Sequence, residues 1–134
     1  MRLDPHALPD AALSFLTERH LASLTTARRD GTPHVVPVGF TFDAATAIAR
    51  VITNDGSVKV RNAERLADGE AGRGALCQID GRFWLTLEGS LRVSRDVDEV
   101  ADAVERYAGR YRQPRVNPTR VVVLMTVDRI MGNI

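Results

Sequence analysis

The sequence predicts a mainly β domain in which six antiparallel strands form a small barrel flanked by three α-helices. Three observations carry that reading. Six short apolar or alternating runs are separated by turn residues such as Asp30-Gly31, Asn54-Asp55-Gly56 and Asp80-Gly81. Three further segments have the 3.6-residue periodicity and the caps of amphipathic helices. Strands in short antiparallel steps, with helices between them, favour a closed sheet over a parallel one.

The first helix spans residues 8–19, with Pro9 suited to its first turn and Ala12, Leu13, Phe15 and Leu16 at helical spacing. Leu21 to Ala27 reads as a strand, and Arg29 to Pro33 as a turn. His34 to Phe42 is the second strand, paired antiparallel with the first. Pro37 and Gly39 inside it are awkward for a central strand and suggest a bulge, an edge, or close approach of a ligand to backbone. Ala47 to Thr53 completes a three-strand meander. Ser57 is a good N-cap for a helix running to Leu66. After a glycine-rich loop from Asp68 to Gly74 come strand four to Ile79, a tight turn at Asp80-Gly81, and strand five from Phe83 to Val93. Asp96 and Glu99 resemble a capping box for the third helix, whose apolar stripe is Val97, Val100, Ala101, Val104, Tyr107, Ala108 and Tyr111. The sixth strand, Arg120 to Ile130, opens with Val121-Val122-Val123-Leu124, a run expected of a buried strand.

Composition narrows the function. With 134 residues the chain is the size of one domain, large enough to bury about two thirds of its unfolded surface without a metal or disulfide staple. Eighteen basic residues against 17 acidic leave a net charge of +1, which argues against nucleic acid or a membrane surface as partner. No apolar run is long enough for a membrane span, and the first nine residues lack a signal-peptide pattern. The single Cys77 fits a reducing cytoplasm. Seventeen of the 18 cations are arginine, which makes the one lysine, Lys59, conspicuous.

Lys59 falls in the first turn of the second helix, after Ser57 and before Arg61 and Asn62. Cations are disfavoured at a helix N-terminus unless an anion is present, so a phosphate site and a solvated surface helix are both open readings. Arg106, Arg110, Arg112, Arg115 and Arg120 form a second basic cluster, with no acid between Glu105 and Asp128. It reads either as a clamp for carboxylates or phosphates or, for Arg106 and Arg110, as the complement of the helix dipole. His6, His20 and His34 lack metal-ligand spacing, so no metal site is expected. No serine or cysteine is paired with a base, and the catalytic side chains are not identifiable. Trp84, just past the hairpin, suits either the core or a barrel mouth.

The order of elements, the Gly-Ser-x-Lys-x-x-Asn helix start at 56–62, the Asp80-Gly81 hairpin with Trp84, and the Arg110-Tyr111-Arg112, Pro114-Arg115 and Asn117-Pro118 pattern resemble the pyridoxamine 5′-phosphate oxidase-like family, the FMN-binding split barrels. The stretches 34–42, 48–62, 78–89 and 106–123 are most similar to its coenzyme F420-dependent branch, in particular to the mycobacterial biliverdin-reducing type. The resemblance implies a six-stranded split barrel, a homodimer with cofactor sites at its interface, and hydride transfer from reduced deazaflavin to a conjugated, bilin-like substrate. It implies that Ser57, Lys59 and Asn62 hold the phosphate and polyglutamate tail. It also implies that the deazaflavin ring lies against the backbone of Pro37, Val38, Gly39 and Phe40 and against Thr53, with Gln78 and Trp84 from the neighbouring hairpin. Arg112, Arg115 or Arg120 would take the propionates of a bilin, on charge alone. Lys59 together with Arg61 leaves FMN open as an alternative cofactor, and a non-catalytic cofactor- or tetrapyrrole-binding barrel is the further alternative. The arginine bias fits a GC-rich, actinobacterial source.

Overall fold

The structure is a computed structural model and describes residues 1–65 and 69–134 of the chain. In chain order the elements are β1 (Arg2–Leu3), α1 (Asp10–Thr17), β2 (Ala22–Ala27), β3 (Pro33–Val38), β4 (Thr41–Asp43), β5 (Ile48–Asn54), α2 (Val58–Glu64), β6 (Arg73–Asp80), β7 (Phe83–Ser94), α3 (Val97–Arg110) and β8 (Arg120–Asn133). The mainly β class with three helices agrees with the sequence. The number of strands does not: eight are present where six were expected.

One extra strand is the two-residue β1, which pairs with β8. The other arises because the expected strand 34–42 is broken at Gly39-Phe40 into β3 and β4. The sheet runs β3-β2-β6-β7-β8-β5-β4, so the two halves of the broken strand lie at opposite ends of the hydrogen-bonded path. β3 pairs with β2 and β4 with β5. Both pairings of the expected meander therefore form, but on separate halves of its middle strand, and the covalent step Gly39-Phe40 between those halves joins the two open edges and closes the barrel.

Pro37 is tolerated for a reason set by register. Arg28 N–H donates to the Thr32 carbonyl at 2.8 Å, which fixes the hydrogen-bonded phase of the β2–β3 ladder. Pro33 and Pro37, opposite Ala27 and Ser23, fall in the other phase and lie on an edge strand, where no N–H is required.

The central strand is β8, bonded to β5 and β7. Val121, Val123 and Met125 enter the main core with Leu24, Phe40, Leu76, Leu85 and Leu87. Val122 and Leu124 pack on the opposite face against Ala103 and Val100 of α3. Both faces are covered, which accounts for the unbroken apolar run. The Asp80-Gly81 turn forms as expected, with Gly81 at φ +61° as the first of two loop residues.

α3 buries a slightly different face from the stripe read from sequence. Val97 is 79% exposed and Ala101 is also at the surface, whereas Ala103 and Arg110 are buried. Asp96 caps the helix by accepting the Glu99 N–H at 3.0 Å, but the Glu99 side chain turns to Arg92 rather than completing the box. α2 ends at Glu64; Leu66, expected on the same helix, lies outside the described residues.

Candidate active site

Where the barrel edge passes α3, a cleft of about 320 Å³ is lined by Pro37, Val38 and Gly39 from the end of β3, Ile52, Thr53 and Asn54 from β5, Lys59 from α2, Tyr107 from α3, and Pro114, Asn117 and Arg120 from the segment leading into β8. Among the described residues the lining contains two cations and no carboxylate. Lys59 makes no hydrogen bond or ion pair among the described residues, and burial alone pushes its ammonium below the ordinary lysine range.

Asp55 and Glu64, the acids bracketing α2, are both held by Arg95, whose guanidinium bonds Asp55 at 2.8 and 2.9 Å and Glu64 at 2.8 and 2.9 Å. These bonds hold both carboxyls below their usual range and tie both ends of α2 to the β7–α3 connection. On the other wall, Asn117 Nδ2 donates to Asn54 Oδ1, and the Asp55 N–H donates to the Thr119 carbonyl at 2.9 Å, pinning the 117–119 loop to the end of β5. Arg120 donates to the Arg115 carbonyl at 2.8 Å.

Six of the residues anticipated from the sequence meet in this cleft: Pro37, Val38, Gly39, Thr53, Lys59 and Arg120. Others do not. Asn62 is 5% exposed; its Nδ2 donates to Thr26 Oγ1 at 2.9 Å and its Oδ1 accepts from Arg65 at 3.0 Å, so the amide is committed to anchoring α2 on β2. Gln78 is fully buried, its Nε2 donating to the Phe15 carbonyl at 2.7 Å and its Oε1 accepting from Arg110 at 2.6 Å. The Phe40 ring is also fully buried, beneath the Arg110 guanidinium at 4.7 Å. These three side chains are interior, and their polar groups are already satisfied. Ser57 precedes α2 but makes no capping bond; its Oγ is buried without a partner. Trp84 stands on the outer face of the sheet, opposite Ile79 and Asn133, away from the cleft of its own chain. Arg112 and Arg115 are exposed on the 111–119 segment.

Five lining residues were not anticipated as site residues: Ile52 and Asn54 of β5, Tyr107, Pro114 and Asn117. Tyr107, read from sequence as helix stripe, lines the cleft. It stacks on Tyr111 with ring centroids 4.8 Å apart. Gly39 makes room for both rings: a Cβ there would lie 3.0 Å from Tyr107 Cε2 and 3.2 Å from Tyr111 Cε2. Pro114 and Asn117 complete the wall. Their signal in the sequence was the Pro114-Arg115 and Asn117-Pro118 pattern, which does not specify which side chains turn inward.

A β-barrel closed by one covalent step, with a cleft lined by Lys59 and Arg120 beside that step, has the architecture of the split barrels. The chain belongs to the pyridoxamine 5′-phosphate oxidase family, whose sequence profile matches residues 8–132. Over 126 residues it is 56% identical to the F420H(2)-dependent biliverdin reductase of Mycobacterium tuberculosis (strain CDC 1551 / Oshkosh), covering 94% of this chain and 88% of that protein. Among solved structures, one described as an F420 reductase superposes with a TM-score of 0.72 at 22% identity, covering 92% of this chain and 98% of its own. A conserved hypothetical protein of Mycobacterium tuberculosis gives 0.76 at 18% identity, covering 94% and 84%. These two share the split-barrel fold.

Proposed function

We propose that this chain is a coenzyme F420-dependent reductase that converts biliverdin to bilirubin. The observation that carries the proposal is the union, in one cleft, of an unpaired lysine with an exposed edge of backbone at Gly39. The 56% identity to a biliverdin reductase supports the choice of cofactor and substrate.

The residues present fit such a cofactor. Lys59 is a desolvated cation without a counter-ion, suited to a phosphate. The Gly39 N–H and C=O have no hydrogen-bond partner among the described residues, so they are available to a planar heterocycle with donors and acceptors on its edge. Reduced deazaflavin, when bound, supplies a hydride. The protein's part is placement: Lys59 fixes the anionic end, and Pro37, Val38 and Gly39 form one wall for the ring. Ile52, Tyr107 and Pro114 exclude water. Arg120 inside the cleft, with Arg112 and Arg115 on the segment beside it, is placed for the two propionates of a bilin. The proton that accompanies the hydride comes from water.

The active form is a homodimer. Leu21, Val35 and Ile79 are 64%, 56% and 64% exposed, and together with Pro37, Cys77 and Trp84 they cover the outer face of β2, β3, β6 and β7. A second copy seated there carries Trp84 toward the partner's cleft and shields the Cys77 thiol. No helix is long and apolar enough to cross a membrane among the described residues, and a reduced cofactor and a free thiol both suit the cytoplasm.

Titration with coenzyme F420 and, separately, with FMN tests the cofactor. Saturable micromolar binding of F420 is expected, followed by bilirubin formation when biliverdin is added to the reduced complex. Binding of FMN in place of F420 refutes the cofactor, and F420 binding without turnover of biliverdin refutes the substrate. Sedimentation should give twice the 14.7 kDa chain mass.

A further inference from the structure

Arg110 and Tyr111 belong to the pattern at 110–118 that carries the family resemblance, yet neither side chain lines the cleft. Arg110 is 9% exposed and has no carboxylate partner among the described residues. Its guanidinium instead donates to three neutral oxygens: the Glu18 carbonyl at 2.9 Å, the Phe40 carbonyl at 2.7 Å and Gln78 Oε1 at 2.6 Å. The Tyr111 hydroxyl accepts from the Phe40 N–H at 3.1 Å and donates to the His20 carbonyl at 2.6 Å. Both backbone groups of Phe40 are thus drawn toward α3 and the chain after α1. Burying a charge against neutral dipoles is costly, so this arrangement needs a reason beyond stability.

We propose that Arg110 and Tyr111 are positioning residues for the coenzyme ring, acting through Gly39. Their bonds account for the polar groups of Phe40, and they leave the N–H and C=O of Gly39 facing no protein partner at the cleft wall. Strand 33–43 would otherwise run straight and pair along its whole length. The buttress breaks it at this peptide, and the stacked rings of Tyr107 and Tyr111 occupy the space that a Cβ at Gly39 would need. The phosphate end of the cleft, at Lys59, is held by a separate set of contacts through Arg95. Ring placement and anion placement are therefore independent. This inference rests on the proposed use of coenzyme F420.

The test separates the two ends. Tyr111→Phe keeps the stack and removes only the hydroxyl, and Lys59→Met removes only the cation. Probes are intact coenzyme F420, the deazaflavin riboside without phosphate, and inorganic pyrophosphate as competitor. For Tyr111→Phe, riboside affinity should fall about 5- to 20-fold while pyrophosphate competition is unchanged. Lys59→Met should show the reverse. Amide hydrogen exchange on the ligand-free protein gives a readout independent of the cofactor: the Phe40 N–H should exchange faster in Tyr111→Phe, with the protection of β7 and β8 intact. Unchanged riboside affinity, or equal loss at both ends, overturns the positioning role. Failure of the parent protein to bind coenzyme F420 overturns the proposed cofactor instead, and the exchange result still reports whether Tyr111 holds the Phe40 peptide.

Discussion

Replacing Lys59 with methionine keeps most of the apolar stem and removes the ammonium. In the folded protein that ammonium is partly desolvated and makes no ion pair among the described residues. Its loss should therefore cost the ligand-free protein nothing, and the thermal midpoint should stay level or rise slightly. A phosphate in the cleft loses one charge-assisted hydrogen bond, worth ~1.5–3 kcal/mol. At ~1.4 kcal/mol per tenfold, this corresponds to a roughly 10- to 150-fold weaker Kd. The same lysine sets a pH dependence. Its folded-state pKa lies below the ordinary value of 10.5, so the unfolded chain holds the proton to higher pH. Stability of the ligand-free protein should rise as pH climbs through that depressed pKa, while coenzyme affinity falls over the same interval because the cation is lost. Fluorescence titration of the coenzyme at several pH values, in parent and Lys59→Met, measures both effects. Equal affinity in the two proteins, or an affinity that is flat with pH in the parent, would refute the anion-holding role of Lys59.

The glycines give a graded comparison. A Cβ at Gly89 would lie 2.0 Å from the Thr126 carbonyl oxygen, a backbone atom in the neighbouring strand, so Gly89→Ala should cost ~3 kcal/mol or more in urea unfolding. At Gly39 the obstacles are the edges of the two tyrosine rings, which can give, so Gly39→Ala should cost ~1 kcal/mol and act mainly on deazaflavin affinity. At the surface, Arg73 bonds both oxygens of Asp128 at 2.7 Å, but both side chains are half-exposed, and Arg73→Ala should lower stability by ~0.2–1 kcal/mol. That bond holds the Asp128 carboxyl below its ordinary 3.8. Its contribution is therefore present above that value and is lost as pH falls through the folded-state pKa, a difference that acid titration of the parent and Arg73→Ala will show.

Much of this protein was legible in the sequence because local chemistry is enough to specify it. Turn residues mark Asp80-Gly81, Asp96 marks the start of α3, and the run Val121 to Leu124 marks a strand buried on both faces. Lys59 stood out by composition and position, with an anion site and a solvated helix both open, and the structure places it in the lining of the cleft. The sequence did not reveal that strand 34–42 breaks at Gly39-Phe40, because the groups that bond the Phe40 backbone there, Arg110 and Tyr111, lie some 70 residues away in the chain. It likewise left Asn62 and Gln78 as cofactor ligands, since an amide looks the same whether its partner is a cofactor or, as here, Thr26, Phe15 and Arg110. Arg110 reads in sequence as one of several cations suited to a helix C-terminus. Only burial under the closed barrel, where its donors meet three carbonyl-type oxygens, makes it the clamp of the closing step. The sequence by itself determines where strands and helices begin and which residues carry charge. The tertiary structure decides which of those charges are paired and which meet in the cleft, because pairing depends on contacts between distant segments; Lys59, without a hydrogen bond or ion pair among the described residues, is one of the two cations brought there.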